Sequence, residues 1–192
     1  MRYLSSVPMS RADEKVGLPT GRKRPLTLEA VYRDHFDFVY RRALRLGGPR
    51  IDAEDVAQEV FLVVARKLDT FDGSSQVTTW LYGITLNVVR ATRRRQRLLG
   101  WFESKDAPPP ESAIETIDRA EVREAHRIAY EILDKMTGKK REVFILSEFE
   151  GLSCEEIAQI VETKTETVWS RLHYAREEFA EAVARRQKKE AR

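Results

Sequence analysis

The sequence contains few of the residues that build disulfide bonds and metal sites. It has one cysteine, Cys154, and three histidines, His35, His126 and His173, which lie far apart in the chain. A single cysteine excludes an internal disulfide, and no Cys/His set has the spacing of a zinc site. We therefore expect no metal and no cofactor, and the cysteine usage fits a reducing compartment.

Long apolar segments are also missing. No stretch approaches the roughly 18 apolar residues of a membrane-spanning helix, and the N-terminus lacks the apolar region of an export signal. These absences predict a cytoplasmic protein without membrane insertion. Residues 1–25 hold three prolines, two glycines and a basic run at 22–24, a composition typical of a flexible basic arm.

Acidic residues are absent from residues 73–102, although the whole chain carries 31 of them. Within this stretch, residues 77–97 have the periodicity of an amphipathic helix. Its apolar stripe is Val77, Leu81, Ile84 and Val88, and its polar stripe is Gly83, Asn87, Arg90 and Arg94. Beside Trp80 and Tyr82, such a polar stripe offers cations to phosphate, an amide to a base edge and aromatic rings for stacking. The alternative is a solvated basic face over an aromatic core.

A neighbouring helix is predicted over residues 52–68. Asp52 is a suitable N-cap, and the acids that follow it lie near the positive end of the helix dipole. The solvent side of this helix carries Asp55, Gln58, Glu59, Leu62 and Arg66. An acidic helix beside a basic one suggests a protein partner. Helix capping and solubility explain the acids at the start of the helix well, but they explain Gln58, Glu59 and Leu62 less fully. The loop at 69–78 leads into Trp80, and it either holds an unstacked base or only connects the two helices.

The whole pattern predicts an all-α chain of two small helical domains joined by a flexible linker. Further helices are predicted at 27–46, 118–136 and 140–149, with Gly138 interrupting between the last two. Three successive prolines, 108–110, cannot continue a helix and mark the linker. The expected divisions are a basic arm at 1–25, a first domain at 26–98, a linker at 99–117 and a second domain at 118–192.

The second domain contains two successive S/T-x-x-E signatures. Ser153 with Glu156 and Thr163 with Glu166 each predict the start of a helix. A short helix, a tight turn and a longer helix are typical of a helix-turn-helix, whose second helix enters the DNA major groove. The predicted groove-facing residues are Lys164, Thr165, Thr167, Trp169, Ser170, Arg171 and Tyr174. Arg171 suits a guanine edge or a phosphate, and Lys164 and Arg176 suit phosphates, whereas a helical hairpin in a bundle is the alternative.

Five segments, taken in order, resemble one known family. DAEDVAQEVFLVVARKLDTF, TTWLYGITLN, a proline-containing linker, REVFILSEFEGLSCEEIA and ETVWSRLHYAR are similar to the extracytoplasmic-function sigma factors of bacterial RNA polymerase. The resemblance covers residues 27–180 and both predicted domains. It is more specific than a helix-turn-helix alone, because it pairs that motif with the acidic and basic helices.

The resemblance implies a sigma factor without catalysis of its own, which binds core polymerase and directs promoter-specific initiation. It implies core polymerase contacts at Asp55, Gln58, Glu59 and Leu62. It implies recognition of the minus-ten element, melted to single strand, by Ser74, Ser75, Gln76, Trp80, Asn87, Arg90 and Arg94. The helix beginning near Lys164 would read the minus-thirty-five element as duplex, and the linker would run toward the polymerase active-site channel. An anti-sigma factor is the usual further partner in this family.

Several positions depart from the pattern common among relatives. Glu166 and Trp169 stand where glycine and lysine are common, and Trp169 thereby replaces a phosphate-binding cation with an aromatic side chain. Glu166 is explained as the capping partner of Thr163. Val77 and Gly83 replace a common phenylalanine and arginine, which weakens the expectation of base capture and phosphate contact at these two positions.

Two other classes of function compete with this interpretation. A stand-alone promoter-binding regulator would use the helix-turn-helix as a dimer, but it leaves the acidic helix unexplained. A nucleic-acid enzyme needs a metal-binding carboxylate pair, a P-loop or a Ser/His/Asp set. Asp55 and Glu59 lie one helical turn apart, but they have no basic neighbours arranged for metal catalysis.

Overall fold

The structure is a computed structural model that describes residues 26–99 and 120–190. Within these ranges all regular structure is helical, which confirms the predicted fold class. The helices form a first body from residues 26–99 and a second body from residues 120–190. The predicted arm at 1–25 and nearly all of the linker at 99–117 lie outside the described residues, as does Asp118, where the fourth helix was expected to begin.

Three α-helices make up the first body: α1 (Leu28–Gly47), α2 (Ala53–Lys67) and α3 (Val77–Leu98). The hydroxyl of Thr27 caps α1. The carboxylate of Asp52 accepts hydrogen bonds from two backbone N–H groups at the start of α2, as the sequence predicts. The three helices pack against one another around a fully buried core, which includes Val39, Ala43, Val56, Val60 and Leu81. This packing leaves one side of α2 and one side of α3 in solvent.

Four helices make up the second body: α4 (Ala120–Leu133), α5 (Gly138–Phe144), α6 (Cys154–Ile160) and α7 (Thr165–Glu190). Gly138 was expected to interrupt the helices, but it is the first residue of α5. The helix expected over 140–149 changes character at Ile145, where a π-helical turn (Ile145–Phe149) continues α5. This turn is closed by a hydrogen bond from Glu150 N–H to the Ile145 carbonyl, five residues earlier.

The helix-turn-helix is formed by α6 and α7, with Ile157, Val168 and Leu172 buried between them. The first predicted capping box is confirmed, because Ser153 and Glu156 exchange side-chain-to-backbone hydrogen bonds of 3.2 and 2.8 Å. The second prediction, Thr163 with Glu166, is wrong. The carbonyl of Lys164 accepts from the N–H groups of both Thr167 and Val168, so Lys164 occupies the cap position of α7.

Thr163 is not available to cap α7 because it completes the end of α6. Its N–H donates to the carbonyl of Ala158 at 3.0 Å, and the residue before it, Glu162, has a φ of 51°. A left-handed residue followed by this hydrogen bond is a Schellman motif, which closes a helix and satisfies its last carbonyl groups. Glycine is the usual residue at the left-handed position, since a Cβ there costs about 1–2 kcal/mol.

We expect Glu162→Gly to raise the free energy of unfolding by about 0.5–1 kcal/mol, the relief of left-handed strain less the entropy cost of glycine. Urea denaturation followed by circular dichroism measures this change. Ala180→Gly, at an exposed position inside α7, is the matched control and should lower stability by about 1 kcal/mol. A loss of stability in both variants would contradict the left-handed conformation of Glu162.

Candidate protein and nucleic-acid interfaces

The polar stripe of α3 is accessible along most of its length. Asn87, Arg90 and Arg94 are exposed, while Leu81, Ile84 and Val88 are buried in the first body. No acid lies between Asp72 and the end of the helix. The exposed side of α3 therefore presents amide and guanidinium groups with no carboxylate of its own helix beside them.

Tyr82 does not belong to this exposed side, contrary to expectation. Its side chain is 4% exposed and contacts the ring of Phe38 edge-on, with centroids 6.0 Å apart. The reason is tertiary: α3 packs against both α1 and α2, so it buries a second stripe through Tyr82, Thr85 and Val89. Burial raises the pKa of the Tyr82 phenol well above its ordinary value.

Trp80 is half-buried and anchors the loop that precedes α3. Its ring lies against that of Phe71, with centroids 4.9 Å apart, so the two aromatic side chains close the base of the loop. Ser74, Ser75 and Gln76 are exposed within the loop. The N–H of Ser74 donates to Asp72 Oδ1 at 2.9 Å, and hydrogen bonds from Ser74 lower the pKa of Asp72. The loop thus holds a local turn and presents small polar side chains next to the exposed face of α3.

The exposed side of α2 carries charge of the opposite sign. Asp55, Gln58, Glu59 and Leu62 are exposed, and the Leu62 side chain retains 59% of its accessible surface. Tyr32 of α1, which sequence reasoning missed, is 49% exposed and packs against Phe61 at a centroid distance of 4.7 Å. A periodic signal was present, since Tyr32, Phe36 and Tyr40 recur every four residues along one face of α1.

The residues predicted to contact the minus-thirty-five element differ in how exposed they are. Lys164, Trp169, Ser170 and Tyr174 are exposed, whereas Thr165, Thr167 and Arg171 are half-buried on its flanks. Arg176 is exposed, but its guanidinium binds Glu148 at 2.6 Å within the second body. Glu166 and His173, which were not among the predicted contacts, are exposed one turn from Ser170, and the helical period was the signal that places them there.

The two bodies contact each other through charged side chains. Arg90 of α3 binds Glu142 of α5 with two hydrogen bonds of 2.8 and 2.7 Å, and it also donates to Asn87 Oδ1 at 3.1 Å. The bond to Glu142 raises the pKa of Arg90. Arg90, which is one of the predicted minus-ten residues, is thus bound to a carboxylate of the second body, and Asn87 is linked to that carboxylate through Arg90.

A second group of contacts surrounds the C-terminus of α1. Arg141 of α5 donates to the carbonyls of Leu46 and Gly47 at 2.6 and 3.2 Å, and Arg93 of α3 donates to the same Gly47 carbonyl at 3.0 Å. Asp134 accepts from Arg93 at 2.7 Å and lies 3.5 Å from Arg141. Burial, together with the nearby Arg93 guanidinium, lowers the pKa of Arg141 to about 10, so the group remains protonated at neutral pH.

Glu150 makes the third charged contact. Its side chain is 1% exposed, and its Oε2 lies 3.3 Å from Arg42 and 3.0 Å from Arg45, both on α1. The π-helical turn that precedes Glu150 directs it toward α1. Beside this contact, the hydroxyl of Tyr130 donates to the Arg45 carbonyl at 2.7 Å. Sequence reasoning identified none of these residues as an interface.

Within 26–99 and 120–190, no three His, Cys, Asp or Glu side chains lie together in an arrangement that could hold a metal ion. Over the same ranges, no helix is both long and apolar enough to cross a membrane. Cys154 is buried, and this burial raises the pKa of its thiol, which keeps it protonated.

Two family models match the chain, one in each body. Sigma-70 region 2 matches residues 31–98, and Sigma-70 region 4 matches residues 126–179. The RNA polymerase sigma-H factor of Pseudomonas aeruginosa is 34% identical over 141 residues, which are 69% of this chain and 73% of that protein. The ECF RNA polymerase sigma factor SigE of Mycolicibacterium smegmatis is 32% identical over 168 residues, and the match covers 82% of this chain but only 62% of that relative.

Two solved structures share the fold. CnrH, solved in complex with the cytosolic domain of CnrY, has a TM-score of 0.58 and 25% identity, over 82% of this chain and 87% of CnrH. RpoE of Bartonella quintana, solved with the anti-sigma factor NepR, has a TM-score of 0.59 and 21% identity, over 81% of this chain and 96% of RpoE. The arrangement of helices is therefore one that these two solved proteins share.

We expect Trp80→Ala to lower the free energy of unfolding by about 1–2 kcal/mol, because it removes the half-buried ring that packs on Phe71. Trp80→Phe keeps an aromatic ring in this place and should lower the free energy of unfolding by a smaller amount. Asn87→Ala, exposed on the same helix, is the control and should change stability by no more than about 0.5 kcal/mol. If urea denaturation gave Trp80→Ala the same stability as Asn87→Ala, Trp80 would not anchor the loop.

Proposed function

Because the chain belongs to the extracytoplasmic-function sigma factors of bacterial RNA polymerase, we propose that it recruits core enzyme through α2 and reads two promoter elements through α3 and α7. It acts as a specificity subunit and has no catalysis of its own. The observation that carries this proposal is the presence, in one chain, of an exposed acidic face, an exposed acid-free basic face and a helix-turn-helix.

Core polymerase binds the exposed side of α2 in this proposal. Leu62 projects an apolar side chain with 59% of its surface exposed, and Asp55 and Glu59 flank it with negative charge. A solvent-exposed leucine that follows two exposed carboxylates suits a basic protein surface with an apolar pocket, where the leucine supplies the buried anchor. Gln58 adds a neutral hydrogen-bonding group, and Tyr32 extends the apolar surface onto α1.

The loop and exposed side of α3 bind the minus-ten element as a single strand. Ser74, Ser75 and Gln76 offer hydrogen-bonding groups to an extruded base, and Asn87 offers both a donor and an acceptor to a base edge. Arg90 and Arg94 lie one helical turn apart, a spacing that follows a phosphate backbone. Trp80 contributes chiefly by holding the loop in place, and the exposed part of its ring remains available for stacking.

The first turns of α7 read the minus-thirty-five element in the major groove. Lys164 lies at the helix start and neutralises a phosphate, while Arg171 contacts a guanine edge. Trp169 is 58% exposed and takes the place of a phosphate-binding cation, so it contacts a thymine methyl group or a sugar. Arg176 reaches a phosphate only if it exchanges its partner Glu148 for the DNA.

An anti-sigma factor is the expected protein regulator, since the solved relatives include a sigma factor bound to one. The chain is proposed to act in the cytoplasm, where RNA polymerase transcribes. Residues 99–117, which join the two DNA-reading bodies, are proposed to run toward the polymerase active-site channel.

Run-off transcription tests the proposal directly. Purified core polymerase, this protein and DNA from upstream of its own gene should yield a discrete transcript that depends on the protein. If no transcript formed, co-elution with core polymerase would show that only the promoter choice was wrong. If the protein gave no transcript and did not co-elute with core polymerase, but bound duplex promoter DNA tightly by itself, a stand-alone regulator would be favoured.

We expect Arg171→Ala to weaken minus-thirty-five recognition by about 1–3 kcal/mol, with the largest effect on the cognate sequence, because a bidentate guanine contact is lost. Transcription from promoters that differ only in that element measures this effect. Lys164→Ala is the control and should weaken all sequences about equally, as a phosphate contact does. A uniform loss for Arg171→Ala would reassign Arg171 to a phosphate.

A further inference from the structure

We propose that Glu166 determines promoter specificity by recognising a cytosine in the minus-thirty-five element, where its carboxylate accepts a hydrogen bond from the exocyclic amino group of the base. This role rests on the proposed function, because it names one base contact within the duplex that α7 is proposed to read. Three features of Glu166 support it: the cap that it does not form, the direction in which its side chain projects, and the lack of a partner for its carboxylate.

Glu166 does not close a capping box at the start of α7. In the capping box of α6, the Glu156 carboxylate accepts from the Ser153 N–H at 2.8 Å. Thr163 and Glu166 have the same spacing, but the Thr163 N–H donates to the Ala158 carbonyl instead, at 3.0 Å. The exchange of hydrogen bonds that would hold the Glu166 side chain against its own backbone therefore does not form, and the carboxylate is available to another molecule.

The side chain of Glu166 projects away from the second body. Val168, two residues later, is completely buried in the core of this body. Two residues turn an α-helix by about 200°, so Glu166 lies on the opposite side of α7 from Val168. Ser170, two residues after Val168, shares this outer side, and both Glu166 and Ser170 are exposed. Because the first turns of the second helix of a helix-turn-helix contact base edges, Glu166 occupies a position suited to a base contact.

The Glu166 carboxylate has no hydrogen-bonding or ionic partner within residues 26–99 and 120–190. The next three acidic residues of α7 each lie beside a basic side chain: Glu177 is 3.5 Å from His173, Glu178 is 2.8 Å from Lys140, and Glu181 is 3.2 Å from Arg185. A negative charge in the first turn favours the start of a helix, but an aspartate would serve that purpose equally. Helix stability therefore does not explain the length and direction of the Glu166 side chain.

A carboxylate in the major groove discriminates among bases because it is negatively charged and only accepts hydrogen bonds. Phosphates repel it, so it gains no affinity from the DNA backbone. Guanine presents two acceptors in the major groove, and thymine presents an acceptor and a methyl group, so both disfavour a carboxylate. Adenine has an amino group, but its N7 acceptor lies beside that group and repels the second carboxylate oxygen. Cytosine presents an amino group without a neighbouring acceptor, and it is therefore the base that Glu166 fits.

Glu166 and Arg171 are suited to different base pairs. They are five residues apart, which places them about 7.5 Å apart along the axis of α7 and about 140° apart around it. Arg171 is proposed to contact a guanine edge, whereas Glu166 is proposed to contact a cytosine elsewhere in the element. The two preferences should therefore appear at separate positions of the promoter and can be measured independently.

The test is run-off transcription by core polymerase and this protein on a promoter library with a randomised minus-thirty-five element, in which a barcode in each transcript identifies the element. We expect the parent to favour cytosine at one position by about tenfold. Glu166→Gln should change this preference to adenine, because a glutamine side chain pairs with adenine N6 and N7. Glu166→Asp keeps the negative charge in the first turn but shortens the side chain, so it should weaken the preference for cytosine without replacing it.

Glu155→Gln is the matched control. Glu155 is exposed on α6 beside the same turn, and its replacement changes the net charge by the same amount. This variant should keep the base preferences of the parent, and any gain in transcription from weaker repulsion of phosphates should be uniform across the library. Circular dichroism checks that all three variants keep the helical content of the parent.

An unchanged preference in both Glu166 variants, or a uniform gain across all sequences in Glu166→Gln, would overturn base recognition by Glu166. The same change of preference in Glu155→Gln would overturn it as well. If the parent gave no transcript that depends on the protein, the proposed function would fail instead. Selection of duplexes from the same library by the protein alone would then decide the role of Glu166, through the presence or absence of the change from cytosine to adenine.

Discussion

The last carbonyl groups of α1 accept hydrogen bonds from arginines of both bodies, and the positions of both bodies depend on this contact. Arg93 binds the Gly47 carbonyl and thereby fixes the rotation of α3 against α1. Arg141 binds the carbonyls of Leu46 and Gly47 from the second body. A helix C-terminus has unpaired acceptors and a partial negative charge, so it suits buried guanidinium groups that would otherwise be costly. Asp134 offsets part of the positive charge of these two arginines, and removal of one partner from such a group typically costs about 3–5 kcal/mol.

Acidic residues are absent from residues 73–102, and this absence affects which groups the arginines of α3 can bind. Arginines on α3 find no carboxylate on their own helix, so their partners come from elsewhere. In the structure Arg90 pairs with Glu142 of the second body and Arg93 pairs with Asp134, and in the proposed function Arg90 binds a phosphate. Both ligands present paired oxygens to the Arg90 guanidinium, so this group suits either the intramolecular carboxylate or the proposed phosphate.

Local features of the fold were predictable from sequence because neighbouring residues determine them. The stripes of α2 and α3, the Asp52 cap and the Ser153–Glu156 capping box depend on contacts within one or two helical turns. Tyr82 was predicted to be exposed because helix periodicity does not reveal that α3 is buried on two sides. Thr163 was predicted to cap α7 because the sequence does not show that the Schellman motif at the end of α6 uses this residue instead. The exposed sides of α2 and α7 were predictable, but the partners of Arg90 and Arg176 were not. Glu142 lies 52 residues from Arg90, and a charged residue in a sequence ordinarily predicts a solvated surface.

The charge around the helix-turn-helix favours a protein that depends on polymerase over one that binds promoters alone. Glu155, Glu162 and Glu166 line the surface at the turn, where Lys164 is the cation beside them. Sequence-independent attraction to DNA comes from neutralised phosphates, and carboxylates at this position oppose it. A regulator acting alone would need that attraction to hold the second body on the duplex. A sigma factor does not, because the proposed attachment of α2 to core enzyme places α7 near the DNA, and a tethered second contact is strengthened by its high effective concentration. One mode of action therefore explains both the carboxylates at the turn before α7 and the acidic face of α2. In this mode, polymerase binding comes first and promoter reading follows from it.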